Sequence, residues 1–332
     1  MVDQSTLIII TICIALFFDF MNGFHDAANA IATIVVTKVL TPQQAVLMAA
    51  VANFVGAFVF SVHVANTVGK GIVDPVSINI YIIIAALLGA IAWDVITWLL
   101  GIPTSSSPAL IGGLIGSVLV SSGTKFIIFH NVLKIFAFIF FAPALGFIGA
   151  SLFTVLILTL FRKSNPTSVN NIFGKLQLAS AFFYSVGHGT NDAQKTMGVI
   201  TVLLFTTGMI PVFHVPTWVI LSAHAAIALG TYLGGWRIVK TMGTGITKLR
   251  PVEGFCAEGS GGMVLQLTAL LGIPVSTTHV IAGSIMGVGA VENFKKVRWL
   301  TARKMVWAWI LTIPLSGLMS AFFYAVIKIA LT

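Results

Sequence analysis

The chain has 332 residues, of which 58% are hydrophobic and 8% are charged. A soluble domain carries about 25% charged residues, so this composition excludes a globular protein with a fully water-exposed surface. Together with a mean hydropathy of +1.03, it indicates an all-α, polytopic integral membrane protein.

Apolar runs of roughly the length that crosses a bilayer, about 20 residues, are distributed along the whole chain. In chain order they lie at 6–20, 44–62, 78–100, 127–161, 217–236 and 304–329. Shorter or interrupted runs lie at 110–120, 177–186, 199–212, 263–271 and 280–288. We expect eight to ten crossings and, in addition, segments that enter the membrane without crossing it. No Lys or Arg precedes the first run, which argues against a cleaved signal peptide.

The net charge of +9 could suggest a nucleic-acid partner, but the basic residues are clustered in three short segments between apolar runs. These segments contain Arg162, Lys163 and Lys175; Arg237, Lys240, Lys248 and Arg250; and Lys295, Lys296, Arg298, Arg303 and Lys304. Basic loops of membrane proteins face the cytoplasm. We therefore expect these segments inside, both termini outside, and no nucleic-acid partner.

The chain contains an internal repeat. The sequence GIPTSSSPALIGGLIG at 101–116 matches GIPVSTTHVIAGSIMG at 272–287, at an offset of 171 positions. An earlier motif, HDAAN at 25–29, matches NDAQK at 191–195, at an offset of 166. Two motifs in the same order with nearly equal offsets indicate a duplicated chain.

The charge pattern predicts how the two halves are oriented. An outside N-terminus and an inside basic segment require an odd number of crossings in the first half. We therefore expect an inverted-topology repeat, the architecture of many secondary transporters, with the binding site at the repeat interface. The predicted units are a first transmembrane repeat at 1–161, a cytoplasmic basic loop at 162–175 and a second, inverted repeat at 176–332.

The two Gly-Ile-Pro motifs predict re-entrant helical hairpins. Pro and Gly interrupt a helix, and exposed backbone at membrane depth must be buried in protein or line a wet cavity. A helix that begins at such a break directs free N–H groups and a positive dipole end at the cavity. Two such helix starts with six hydroxyls would form an oxyanion site, although a hydroxyl can also cap its own helix or bind a neighbouring helix. The six hydroxyls are those of Ser105, Ser106, Ser107, Ser276, Thr277 and Thr278.

The acidic motifs predict a cation site beside the anion. A charge in a membrane segment is costly and by default marks a pathway or coupling site. Asp26 and Asp192 occupy equivalent positions in the two repeats, and His25 and Asn191 precede them. Carboxylate and carboxamide oxygens suit Na⁺ or a divalent metal ion, and a carboxylate can also carry a proton. A buried ion pair or an interfacial helix-end carboxylate is the alternative interpretation.

One difference between the repeats is informative for coupling. Asn29 in the first repeat aligns with Lys195 in the second. If Asn29 helps to hold a cation, the Lys195 ammonium would displace one metal ion and favour proton coupling, or it would help to neutralise the substrate. Other ionisable candidates in or beside apolar runs, as a gate or proton carrier, are Glu258, His279 and Asp94.

Four motifs in the same order resemble the signatures of the PiT family of inorganic phosphate transporters, over nearly the whole chain. They are NGFHDAANA at 22–30, HGTNDAQK at 188–195 and the two GIP hairpin motifs, and KLRPVEGFCAE at 248–258 resembles a further family stretch. The resemblance implies secondary active uptake of phosphate by cation symport in a homodimer. It implies cation coupling at Asp26, Asn29 and Asp192 and phosphate binding by the six hydroxyls. It also implies a bacterial inner-membrane location and no covalently bound cofactor.

His25 and the pair Gln194–Lys195 resemble the bacterial branch that couples to protons and carries neutral metal–phosphate complexes. Na⁺ coupling remains an alternative, and Asp26 with Asp192 could bind Na⁺ or a divalent ion that travels with phosphate. Short bacterial members are often paired with a PhoU-like cytoplasmic partner. Two departures from the family pattern, Pro108 in place of His and Asp94 in place of Asn, bear on the coupling stoichiometry.

Three other functions compete with phosphate symport. Sulfate permeases occur in the same family, but only phosphate can donate a hydrogen bond to a buried carboxylate such as Asp26 or Asp192. An intramembrane Mg²⁺-dependent enzyme acting on a pyrophosphate lipid would need several aspartates per motif and nearby basic residues. A channel does not fit two hairpins that close the centre. We therefore expect a transporter and not an enzyme.

Overall fold

The computed structural model describes residues 3–58 and 62–331 of the chain. Within these residues the protein is all-helical apart from single-turn 3₁₀ segments and one isolated bridge between Val73 and Ile127. The predicted all-α class is confirmed. The predicted run at 44–62 passes through residues 59–61, which lie outside the described part, as do the first two residues and the last one.

Six helices in each half follow one another in the same order: a long helix, two short ones, the two arms of a hairpin and a second long helix. The first six are α1 (Gln4–Val36), α2 (Pro42–Val55), α3 (His63–Gly71), α4 (Ile80–Leu100), α5 (Ser106–Ser122) and α6 (Phe129–Leu160). The second six are α7 (Pro166–Thr206), α8 (Thr217–Leu233), α9 (Trp236–Thr244), α10 (Pro251–Leu270), α11 (Thr277–Asn293) and α12 (Trp299–Leu331). The predicted run at 177–186 and the first part of the run at 199–212 lie in one 41-residue helix, α7, which ends at Thr206.

Four helices, α1, α4, α6 and α12, are long and apolar enough to cross a membrane. Two bent pairs, α2 with α3 and α8 with α9, meet the same criterion when each pair is taken together, which gives up to six spans. The bend between α8 and α9 is 74°. These numbers follow from length and composition alone, so the expected eight to ten crossings stay a prediction.

Both predicted hairpins form, α4 with α5 and α10 with α11. Gly101 ends the first arm of one hairpin with a φ of +65°, and Gly272 follows the first arm of the other with a φ of +67°. Such a left-handed conformation is strained for any residue with a Cβ, which explains the glycine in each motif. The Pro two residues further on cannot continue the helix, so the chain reverses at this point.

The second arm of each hairpin packs against the last helix of the other half. A Cβ on Gly116 of α5 would lie 2.0 Å from the Gly317 carbonyl oxygen of α12. A Cβ on Gly283 of α11 would lie 2.1 Å from the Pro143 carbonyl oxygen of α6. Close backbone approach through glycine is typical of helices that associate in membranes. The two halves are therefore interlocked at the hairpins.

The long helices α1 and α7 pack against each other in opposite directions. Thr37, which follows the C-terminal end of α1, donates a 2.9 Å hydrogen bond to Gln177 near the beginning of α7. At the other end, Gln4 and Thr206 line one cavity. Both helices run unbroken through their acidic motifs, so Asp26 and Asp192 lie in mid-helix.

The basic segments partly converge on one face. Arg162 and Arg250 line the same cavity of about 220 Å³, and Arg250 lies 3.7 Å from Glu292. Residues 166–175 of the predicted loop form the first turns of α7, because Asn165 caps this helix and Pro166 occupies its first position. Arg237 lies elsewhere, on α9, and donates a 2.8 Å hydrogen bond to the Leu99 carbonyl.

Candidate substrate and cation site

The tips of the two hairpins meet in the buried centre of the protein. Ser107 at the beginning of α5 donates a 3.4 Å hydrogen bond to the Val275 carbonyl, just before α11. The N-termini of α5 and α11 therefore converge, and both lie beside α1 and α7. Each helix start contributes unpaired backbone N–H groups and a partial positive charge at this point.

Two of the six predicted hydroxyls are occupied in capping. Ser105 is the N-cap of α5 and accepts from the Ser107 backbone N–H, and Ser276 is the N-cap of α11 and accepts from the His279 N–H. Their hydroxyls hold the helix starts in place. The remaining four point at polar groups of α1 and α7.

These four hydroxyls connect the hairpin tips to the acidic motifs. Ser106 donates to Asn22 at 2.6 Å, Thr277 donates to Asp192 at 3.1 Å, and Thr278 lies 3.4 Å from Asp26. Ser107 accepts from the Lys195 ammonium. All four side chains are at most 2% exposed. The sequence-predicted hydroxyl and carboxylate residues thus belong to one buried cluster.

The two motif carboxylates lie close to each other and to a histidine. Single ligand atoms of Asp26, Asp192 and His188 all lie within 4.8 Å of one another. The imidazole of His188 is one turn before Asp192 on α7, and its Nε2 is 3.3 Å from the carboxylate. Two carboxylates and an imidazole can hold a divalent cation. The predicted pairing of Asp26 with Asp192 therefore has the geometry of a cation site.

The polar groups around Asp26 include a histidine and neutral hydroxyl and carboxamide side chains. His25 Nδ1 lies 2.7 Å from Asp26 Oδ1, and the other ring nitrogen lies 3.1 Å from the Thr97 hydroxyl on α4. Asn29, one turn further along α1, donates to Thr278 at 2.8 Å. His25 and Asn29 therefore belong to the cluster as predicted. No lysine or arginine forms an ion pair with Asp26 among the described residues.

Asp192 instead has a fixed positive partner. The Lys195 ammonium contacts both the Asp192 carboxylate and the Ser107 hydroxyl. Lys195 is only 2% exposed, so both charges of this ion pair are removed from water. A buried ion pair of this kind persists only when its members are well paired and hydrogen-bonded. The ammonium lies where the sequence alignment of the repeats predicts it.

Asn191 and Asp94 are placed differently. The Asn191 amide donates to the carbonyls of Gly187 and Leu265, so its donors serve the packing of α7 against α10. Asp94 is fully buried on α4, one turn before Thr97, and neither of its oxygens has a hydrogen-bond partner among the described groups.

Glu258 lies in a separate cluster between α1, α7 and α10. Thr33 donates to its carboxylate at 2.5 Å, Ser180 at 2.6 Å and Gln177 at 3.1 Å. Thr33 is seven residues beyond Asp26, which corresponds to about 10 Å along the helix. The carboxylate thus joins three helices at some distance from the central cluster.

His279 is buried near the hairpin tips and packs against Trp309 of α12. Its ring lies 4.1 Å from the ring of Trp309, centroid to centroid, and neither ring nitrogen has a hydrogen-bond partner among the described groups. It lines a small cavity with Ser107, Pro108 and Ser276, between the two hairpin tips. A direct contact of its imidazole with Asp26 or Asp192 is not formed.

Sequence reasoning missed two members of the cluster, His188 and Asn22. The offset of 166 pairs them with each other: Asn22 is three residues before His25, and His188 is three before Asn191. The repeats therefore exchange the positions of His and Asn, and each aspartate receives one imidazole. A comparison of whole motifs at this offset would have found both residues.

An all-helical membrane protein with two interlocked hairpins can hold an oxyanion at the converging helix starts and cations on the paired carboxylates. Helices that begin at buried backbone interruptions lined by polar groups are typical of membrane transporters. This is the class that the fold and the site define.

Comparisons with known proteins agree with this class. Residues 22–320 match the phosphate transporter family. A Rhizobium meliloti protein described as a probable low-affinity inorganic phosphate transporter is 52% identical, over 96% of both chains. A Bacillus subtilis protein of the same description is 44% identical, over 97% of both chains. A solved structure described as the sodium-dependent phosphate transporter has a TM-score of 0.86 and 26% identity, over 98% of this chain and 99% of that one.

The chain therefore belongs to the phosphate transporter family. The family resemblance and the expectation of a transporter, not an enzyme, are confirmed. The family match begins at Asn22 and so includes both acidic motifs and both hairpins.

Proposed function

We propose that the protein imports inorganic phosphate across the bacterial cytoplasmic membrane by symport with a cation, and that the favoured cation is the proton. The observation that carries this proposal is the junction of the hairpin tips with the acidic motifs. There, four hydroxyls and one ammonium lie beside two carboxylates in a site closed to water.

Phosphate fits the donors and acceptors of this junction. Its oxygens would accept from hydroxyls such as Ser106 and Thr277, from the N–H groups at the helix starts and from Lys195. Protonated phosphate also carries a hydroxyl that can donate to Asp26 or Asp192. Sulfate at neutral pH has no such donor, so the carboxylates favour phosphate over sulfate.

The charges at the site make transport depend on a cation. Asp26 and Asp192 contribute two negative charges, and Lys195 compensates one. An anion about 5 Å from the uncompensated carboxylate is repelled by about 3 kcal/mol at an effective dielectric constant of 20. This repulsion corresponds to a more than hundredfold loss of affinity. A cation or proton bound with phosphate removes it, so electrostatics couples the two solutes.

The asymmetry of the two repeats favours the proton. Lys195 holds the position beside Asp192 that a metal ion would otherwise take. On the other side, Asp26 is hydrogen-bonded to His25, a pair that can take up and release a proton. The solved relative is described as sodium-dependent, and Na⁺ bound by Asp26, Asn29 and Thr278 is the alternative.

A divalent ion carried together with phosphate is a further alternative, and it would require the Lys195 ammonium to release the Asp192 carboxylate. Asp26, Asp192 and His188 supply two oxygen ligands and one nitrogen ligand within 4.8 Å of one another. Such an ion would be cargo of the transporter and would leave with phosphate as a neutral complex.

The topology is proposed from the positions of the basic residues. Arg162 and Arg250 share one exposed face with Glu292, and this face would be cytoplasmic. Because α1 ends and α7 begins on this side, the N-terminus would be outside, and an inverted repeat would put the C-terminus there as well. We further propose that the protein forms a homodimer and that a PhoU-like cytoplasmic partner binds the face that contains Arg162 and Arg250.

The test is uptake of radiolabelled phosphate by proteoliposomes under an imposed proton gradient or an imposed Na⁺ gradient. Each gradient is applied with and without excess sulfate, and with and without Mg²⁺. We expect uptake under the proton gradient, no response to Na⁺ alone, and no competition by sulfate. A requirement for Mg²⁺ at low ionic strength would identify the metal–phosphate complex as the cargo.

Matched variants connect the uptake to the site. Ser106→Ala removes a hydroxyl that reaches Asn22, whereas Ser117→Ala removes a buried hydroxyl on the same helix that binds only its own backbone. The first should raise the KM for phosphate and the second should not. Uptake that is driven only by a Na⁺ gradient would contradict proton coupling. Phosphate uptake that excess sulfate abolishes would contradict the assignment of phosphate as the preferred substrate.

A further inference from the structure

Polar side chains form a stripe along one side of the otherwise apolar helix α1. Asp19, Asn22, Asp26, Asn29 and Thr33 follow one another at intervals of three and four residues. Residues at this spacing lie on one face of an α-helix. All five are at most 1% exposed, so the stripe is buried inside the protein.

The stripe runs from the middle of α1 to its C-terminal end, and its members contact α5, α7, α10 and α11. From Asp19 to Thr37 it extends over 18 residues, or about 27 Å, which is close to the thickness of the hydrocarbon core. Its inner end is the contact of Thr37 with Gln177 and the Glu258 cluster. Its centre is the Asp26–Asp192 cluster. The stripe therefore extends about two turns to either side of the site described above.

Asp19 marks the outer end of the stripe, and its surroundings are unusual. The Asn22 carboxamide and the Thr196 hydroxyl of α7 are close enough to act on the Asp19 carboxylate. All three residues are 0% exposed. Nevertheless both Asp19 oxygens, Asn22 Nδ2 and Thr196 Oγ1 have no hydrogen-bond partner among the described residues. Asp19 follows a long apolar run in the sequence but lies in the middle of α1.

Buried polar atoms are normally paired, and four neighbouring exceptions need an explanation. A carboxylate taken out of water without a partner costs several kcal/mol. A cation bound between one Asp19 oxygen and Thr196 Oγ1 would satisfy these oxygens, while Asn22 Nδ2, which can only donate, would hydrogen-bond to the other Asp19 oxygen. Among the described residues, the other charged groups that act on Asp19 are Asp192 and Lys195 of α7, and the repulsion by Asp192 is the stronger of the two effects.

We propose that Asp19 and Thr196 bind a small monovalent cation, Na⁺ or hydronium, on the outer side of the central cluster, and that Asn22, which also accepts from Ser106, orients the Asp19 carboxylate. The site lies seven residues before Asp26 on α1, about 10 Å away. A cation bound there would be the first to meet the buried stripe from outside. This inference rests on the proposed cation symport and adds a loading site to it.

An open cavity lies at the outer end of the α1–α7 interface, 15 residues, or about 22 Å, before Asp19 along α1. Beyond Thr196, α7 ends at Thr206, and Thr206 and Thr207 line this cavity of about 360 Å³ together with Gln4 and Asn79. This cavity is at the end of the α1–α7 interface opposite to the basic face. A cation entering from that side reaches Asp19 before it reaches Asp26.

The test compares wild type, Asp19→Asn and Asp19→Glu, with Ser185→Ala as a matched control. Ser185 is the position that corresponds to Asp19 in the second repeat, and its buried hydroxyl binds only the Ala181 carbonyl. Phosphate uptake by proteoliposomes is measured as Na⁺ is varied at fixed pH, and as pH is varied without Na⁺. The half-saturating cation concentration and the maximal rate are determined in each series.

We expect Asp19→Asn to raise the half-saturating concentration of one cation by about tenfold. The maximal rate at saturating cation should change much less. Asp19→Glu should restore most of the affinity, and Ser185→Ala should behave as wild type. The series that responds, Na⁺ or pH, identifies the cation.

A second measurement separates this inference from the transport function. The melting temperature of the detergent-purified protein is measured without phosphate, as choline chloride is replaced by NaCl and, in a parallel series, as pH is lowered. A cation-dependent stabilisation that Asp19→Asn reduces supports the site even if wild type transports no phosphate. The proposed site is refuted if Asp19→Asn has the same cation dependence as wild type in both assays. It is also refuted if Asp19→Asn loses the same fraction of the uptake rate at every cation concentration.

Discussion

Replacing Lys195 by Asn tests the role of the fixed ammonium. The substitution gives the second repeat the Asp-x-x-Asn arrangement that Asp26 and Asn29 have in the first. It removes the positive partner of Asp192 and the hydrogen bond to Ser107. A transported cation would then be needed at both carboxylates instead of one.

The size of the effect follows from burial. Asp192 is 0% and Lys195 is 2% exposed. Removing one partner of a buried ion pair typically costs about 3–5 kcal/mol, because the other charge is left uncompensated. In a Na⁺-free buffer we therefore expect Lys195→Asn to be strongly destabilised. An ion that binds only the folded state, present at a concentration of a hundred times its Kd, raises the free energy of unfolding by about 2.7 kcal/mol.

The assay is thermal unfolding of the purified protein in NaCl or in choline chloride at equal ionic strength, followed by uptake in proteoliposomes. Lys195→Asn should recover stability in NaCl, and its uptake should become dependent on Na⁺. The control is Lys163→Asn, which removes an exposed lysine of the basic face and should change neither property. If Lys195→Asn retained full uptake and gained no Na⁺ dependence, the assignment of the ammonium as a substitute cation would be refuted.

Three further predictions concern other parts of the structure. Ser106→Ala should raise the KM for phosphate by about tenfold through the loss of a buried hydrogen bond, whereas Ser117→Ala should leave it unchanged in the same uptake assay. Glu258→Gln should lower net uptake more than phosphate exchange, measured with phosphate on both sides of the membrane; an equal loss of both rates would exclude a gating role. Gly283→Ala should lower the melting temperature, at a cost of about 1–3 kcal/mol or more, because its Cβ would overlap the Pro143 carbonyl oxygen; an unchanged melting temperature would contradict the close packing of α11 on α6.

Much of the fold follows from local sequence signals. Each hairpin turn is encoded by Gly-Ile-Pro, since the glycine takes a left-handed conformation and the proline prevents helix continuation. The repeat offset pairs Asp26 with Asp192 and Asn29 with Lys195, and the structure brings these four residues into one cluster. Repetition identifies these residues because it selects the polar positions that both halves keep.

What could not be predicted depends on contacts between distant helices. Whether Ser105 binds a ligand or caps its own helix cannot be read from a run of three serines. Glu258 could be recognised as an unusual charge, but its partner Ser180 comes from another helix. The placement of Asp19 is equally hard to predict, because a carboxylate after an apolar run resembles the end of a membrane segment, whereas α1 continues unbroken beyond it.

The exchanged positions of His and Asn in the two repeats bear on how the site is loaded. His25 and His188 each lie beside one aspartate, so the imidazoles do not distinguish the two carboxylates. Only Lys195 does, because the first repeat has the neutral Asn29 in its place. In the proposed symport, the side of Asp192 would keep its charge balance throughout the transport cycle, whereas Asp26 would exchange its counter-charge with each turnover. A transported cation that bound at Asp192 would meet the ammonium, so the coupling ion is expected on the side of Asp26, next to the stripe that leads outward to Asp19.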